Sequence, residues 1–169
     1  ASSGDLLANG LGTGLFIAQQ MCFHKQIITP KFSYWPSEYA AYRPYLLGDN
    51  HWNRWLKDYN GQVYWLSFSL ADMKVNPNIF PKWLSLAVGY SGGGMLGGSS
   101  NPLFNEKGNL LPTFTRQREL YLSVDLNFQN IKTKSFFLNA ILKGISFIKF
   151  PAPALKFTKN NIQLIPIQY

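Results

Sequence analysis

Charge is what this chain has least of. Only 14% of its residues are charged, against about a quarter in ordinary soluble domains, while 46% are hydrophobic and 16% aromatic. Carboxylates are scarcer still. Eight acids stand against sixteen lysines and arginines, and from Leu126 to Tyr169 there are six lysines and no acid at all. Acids scattered singly form no pair that sequence can bring together for acid–base chemistry. Cys22 is the only cysteine, which excludes an internal disulfide. His24 and His51 are the only histidines; Asp49 and His51 have no third ligand at a recognisable spacing, so neither metal nor cofactor is expected. No apolar run reaches the roughly 18 residues of a simple spanning helix.

What is present points to surfaces. At 169 residues the chain has the length of one domain. Its net charge of +8, concentrated in a carboxylate-free C-terminal part, suits a polyanionic partner, either nucleic acid or an anionic lipid face. Aromatics beside lysines could stack on bases. Here, however, they fall in alternating apolar rows, and no nucleic-acid motif accompanies them. Lipid or protein contact is therefore expected ahead of nucleic acid.

Asp5 to about His24 reads as a helix with a wide apolar surface from Leu6, Leu7, Leu11, Leu15, Phe16 and Ile17. Gly10 and Gly14, four apart, would form a groove for close approach of another helix. The glycines of Asn9–Gly14 also suggest a phosphate loop, but no strand precedes them and no lysine follows. Asp5 and Asn9, one turn apart, are the best polar couple on this helix. They read as an internal network or as a site for a polar head group. Residues 26–43 alternate aromatics with prolines and suit an extended wrap. Asp49 is placed to cap a short helix that ends near Asn60-Gly61. Four stretches carry the two-residue rhythm of strands: 62–70, 83–90, 119–128 and 162–169. In the third, Leu120, Leu122, Val124 and Leu126 oppose Tyr121, Ser123, Asp125 and Asn127. The glycine-rich connection 91–112 reads as a mobile loop or an anion-binding concavity. Ser135 to Phe150 reads as a largely apolar helix with a narrow polar stripe, stopped by Pro151 and Pro153. The expected fold class is α+β: an N-terminal glycine-rich packing helix, a short antiparallel sheet of about four strands, and a C-terminal amphipathic helix. Four strands are too few for a barrel, for which eight is the usual minimum.

The segment from Ser3 to Gly14 resembles the last helix of VanZ-like proteins, through Asp5, Asn9, Gly10 and Gly14. Three further blocks, LKDYNGQVYWLS, PKWLSLAVGYSGGGM and RELYLSVDLNF, resemble long members of a YfiM-like family. Asp58, Tyr59, Asn60 and Gly61 carry its central motif. The resemblance implies a periplasmic or outer-membrane lipoprotein of Gram-negative bacteria, with no known activity. Family members carry a signal segment and an Asp-Lys…His-Phe helix upstream, so this chain is expected to be a single domain, residues 1–169, lacking that part.

The leading expectation is a non-catalytic envelope protein at the outer membrane, binding lipid or serving as accessory subunit of a membrane complex. Contact would come from Phe136, Phe137, Ile141, Lys143, Ile145, Ile148 and Lys149. Two alternatives stay open: an enzyme acting on lipid or cell-wall material near Asp5 and Asn9, and a nucleic-acid binder.

Overall fold

In the computed structural model, which describes residues 3–73 and 80–169 without the side chains of residues 3–5 and 8, six strands follow one another through a single antiparallel sheet in chain order. They are β1 (Ile28–Tyr34), β2 (Gln62–Ser69), β3 (Leu84–Gly93), β4 (Gln117–Leu126), β5 (Ala152–Thr158) and β6 (Asn161–Gln168). A long helix α1 (Ser3–Phe23) precedes them. The short helices α2 (Pro44–Leu47) and α3 (His51–Lys57) lie between β1 and β2, and α4 (Phe136–Gly144) lies between β4 and β5.

The sheet curls back on itself. The Phe32 amide donates to the Phe147 carbonyl at 2.8 Å, and the Lys149 amide donates to the Phe32 carbonyl at 2.9 Å. Ile148 thus pairs in parallel with β1 just before the chain enters β5. The curl brings β1 and β2 within reach of β4 across the inside. Lys31 Nζ lies 2.7 Å from Asp125 Oδ2, and Ser67 Oγ donates to the same oxygen at 2.6 Å.

Residue size on the inner face explains how so tight a curl fills itself. Trp65 from β2 and Tyr121 from β4 meet at a ring separation of 5.8 Å, over Val63, Ala87 and Ala154. Between them β3 turns inward Ser85, Ala87, Gly89, Ser91 and Gly93, none larger than serine. A Cβ on Gly89 would lie 2.6 Å from the Trp65 ring, so glycine is what admits the indole. Large side chains facing small ones fill narrow barrels in this way.

A second small core closes one end of the sheet, where residues 35–61 and 94–116 meet. Ala40, Leu47, Leu96 and Leu111 are buried there against Tyr39, Tyr59 and Phe114. Its polar clamps replace regular structure. Asn60 accepts from the Met95 amide and donates to the Met95 carbonyl, both at 2.8 Å. Asn101 joins Leu96, Gly94 and Phe114, and Arg116 holds the Gly97 and Gly98 carbonyls. The glycine-rich connection is therefore a stitched loop.

The expected α+β arrangement needs correcting in three places. The sheet has six strands, because the proline-bearing stretches read as a wrap and as an exit are β1 and β5. Proline is tolerated in both for stated reasons: β1 is a terminal strand with spare edge positions, and Pro153 sits at the bulge between Ala152 and Ala154. The N-terminal helix forms as expected, yet it is not a packing helix. A Cβ added to Gly10, Gly12 or Gly14 would meet nothing within 4 Å. Among the described residues only its last turns are held, chiefly by Gln19, whose side-chain oxygen accepts from the Ile27 and Ile28 amides at 2.8 and 2.6 Å. The sheet has already filled its inside with its own side chains, so no room is left there for a helix. Lastly, the C-terminal helix stops at Gly144. Ile145–Lys149 leaves the helix because its backbone is needed at the edge of β1. Asn50, not Asp49, caps α3 by accepting from the Asn53 amide at 2.9 Å.

Candidate functional site

The strand register sets out the outer face row by row. One row runs Phe32, Tyr64, Tyr90, Leu120, Phe157 and Ile162 across all six strands. The next runs Pro30, Leu66, Val88, Leu122, Leu155 and Leu164. The third runs Ile28, Phe68, Leu86 and Val124. No polar side chain interrupts these rows, and most of their members are exposed. Among the described residues no layer of structure covers the rows as a whole; Trp55 of α3 leans on Phe32, edge to face at 6.1 Å, and the last turns of α1 flank Ile28 and Phe68. Aromatics gather at the row nearest α3 and at the opposite end, where Phe68 and Trp83 lie, with aliphatic side chains between.

The inner face is the reverse. Lys31, Ser33, Ser67, Ser69, Ser85, Ser91, Glu119, Ser123, Asp125 and Lys149 are all buried. Asp125 sits between two ammonium groups, Lys31 at 2.7 Å and Lys149 at 4.0 Å. Lys149 also donates to the Val124 and Phe150 carbonyls at 2.9 and 2.7 Å. Burial pushes its ammonium down to about 8; Asp125 opposes that shift and Lys31 adds to it. Lys156 pairs with Glu119 at 2.6 Å, and Glu119 also accepts from the Tyr121 hydroxyl. Beside Lys31 and Ser67 the interior encloses no space for a water molecule, so this end of the polar inside is a filled lock.

The residues singled out in the sequence scatter. Asn9, Gly10 and Gly14 lie on the exposed length of α1, while the side chain of Asp5 lies outside the described residues. Asp58, Tyr59, Asn60 and Gly61 are structural. Asp58 is fully buried, accepting from the Ser37 amide and hydroxyl at 2.8 Å each. A Cβ on Gly61 would collide with the Trp35 carbonyl. Phe136 and Phe137 are 90% and 71% exposed, and Ile141, Lys143, Ile145 and Ile148 are exposed as well. Lys149 corrects the expectation: it is 1% exposed, turned inward onto Asp125. His24 ends α1 in a left-handed conformation at φ 54°, at the far end of the sheet from His51. No group of three metal-binding side chains occurs among the described residues, and none of their helices is long and apolar enough to cross a membrane.

The outer contributions of β1 and β5 escaped the sequence reading, although the signal was there. Ile28, Pro30, Phe32 and Tyr34 alternate with Thr29, Lys31 and Ser33. Comparison with known proteins finds no matching family model, curated protein or solved structure.

Proposed function

We propose that the protein is a non-catalytic cell-envelope protein, associated with the outer membrane on its periplasmic side, whose bare sheet face sits among lipid acyl chains. The observation that carries this reading is the unbroken apolar exterior wrapped around an ion-bearing interior. Water-soluble sheets with one wet side put polar residues on that side. Sheets in lipid invert the pattern, with an apolar band outside and polar residues within.

The height of the band argues for one leaflet. From Leu84 to Tyr90 on β3, and from Leu120 to Leu126 on β4, the outward residues span six steps, or about 20 Å at roughly 3.3 Å per residue. Tilt of the usual 35–45° lowers this to about 15 Å. A crossing barrel carries a band of about 25 Å, whereas half of a hydrocarbon core is about 15 Å. The exposed phenylalanines of α4 and the lysines around it suit the neighbouring headgroup layer. The compartment in this proposal rests on the resemblance to the YfiM-like family noted in the sequence.

Flotation with vesicles at low salt and at about 1 M salt, where charge is screened within roughly 3 Å, tests the reading. The protein should rise with the vesicles in both. Release by salt would show attachment by lysines instead of by the apolar rows.

A second reading, accessory subunit of an outer-membrane complex, is favoured by β6. It ends the sheet with one edge unpaired among the described residues and exposes Ile162, Leu164 and Ile167. Such an edge accepts a strand from a partner.

A further inference from the structure

Two grooves open at the end of the sheet away from α2 and α3. One, of about 590 Å³ at the foot of α1, has Lys25 on its rim, but Asp72 already neutralises that charge at 2.8 Å. The other, of about 570 Å³, runs between α4 and the stretch leading into it, lined by Phe128, Ile131, Lys132, Phe136, Asn139 and Lys143. Neither of its lysines meets a carboxylate among the described residues, and no acid follows Asp125 in the chain.

This second groove has a built frame. Asn139 accepts from the Thr133 amide at 3.1 Å and donates to the Thr133 carbonyl at 2.9 Å, which clamps the leading stretch to the helix. Phe136, Asn139 and Lys143 share one face of α4, spaced three and four residues apart. The helix thus presents an aromatic ring at one end of the groove and an ammonium at the other, with Lys132 on the facing wall.

We infer that the groove binds an anionic phospholipid, its phosphate between Lys132 and Lys143 and its chains passing over Phe128 and Phe136. The inference rests on the membrane reading above and adds a lipid class to it. Two unpaired cations beside an apolar trough complement an ester of phosphate with hydrocarbon chains. A zwitterionic lipid brings its own ammonium, which the lysines would repel.

Co-sedimentation of the full chain with vesicles of phosphatidylcholine, alone or mixed with phosphatidylglycerol, measures the preference. The Lys132→Gln/Lys143→Gln pair should lose roughly 30-fold in affinity for the mixed vesicles, about fivefold per lysine. A control pair, Lys57→Gln/Lys107→Gln, removes the same charge at the opposite end and should lose little. All four side chains are exposed, so folding is not at stake. Equal losses in both pairs would mean diffuse attraction and would overturn the groove, as would inorganic phosphate competing the preference away. Quenching of tryptophan fluorescence by brominated acyl chains reads the outer face separately. Quenching without anionic preference sinks the groove alone; no quenching sinks both.

Discussion

The same strands make both faces of the sheet, and the faces obey opposite rules. Inside, Lys31, Asp125 and Lys149 are held in a buried lattice of hydrogen bonds and ion pairs, with Trp65 and Tyr121 as the large apolar fillers. Outside, sixteen register positions are apolar and most of them are exposed, a surface that the proposed lipid contact would cover. Burial of charge costs several kcal/mol per ion unless geometry returns it; exposure of apolar surface costs about 25 cal/mol per Å². The proposed membrane setting is the one in which both arrangements would cost least.

The comparison breaks most readily from the inside. Asp125→Ala should destabilise the protein by about 3–5 kcal/mol, because two buried ammonium groups lose their partner. Urea midpoints would show it, and Lys31→Met/Asp125→Leu/Lys149→Met should recover most of the loss. An outer substitution sharpens the contrast. Leu122→Arg should cost about 2–4 kcal/mol for the vesicle-bound protein, yet little in detergent-free buffer, where surface changes stay within about 0.5 kcal/mol. Equal costs in both media would count against lipid contact. Gly89→Ala drives a methyl into the Trp65 ring and should cost about 1–3 kcal/mol, with a shifted tryptophan emission.

The smallest effect concerns a second lysine–aspartate pair at the wet rim. Burial raises the Asp72 pKa, but hydrogen bonds from Lys25, Ser69 and Asn130 outweigh it, so the net shift is downward from 3.8. A carboxylate depressed in the folded state contributes stability above its unfolded pKa and loses it as pH falls through the folded value. Lys25 is 45% exposed in this pair, so the contribution should be at most about 1 kcal/mol. Asp72→Asn should abolish that part of the acid slope and leave the rest.

Strand existence was legible where residues alternated without proline, as in β2, β3 and β4, and also in β6 despite Pro166. In β1 and β5 the alternation was present but masked, since Pro30 and Pro153 argue against a strand until the sheet supplies an edge and a bulge. The small-residue groove of α1 was equally legible and equally misleading. Spacing shows that a helix could approach, not that one does.

The alternation of Leu120, Leu122 and Val124 with Tyr121, Ser123 and Asp125 determined that β4 has an apolar and a polar face. Which of them points inward could not follow from it, because a period of two is the same read from either side. The curl decided that: Ile148 on the edge of β1 draws Lys31 and Lys149 onto Asp125 and leaves the leucines outside. Pairing across many residues is a property of the curled sheet, and only the folded chain brings those charges together.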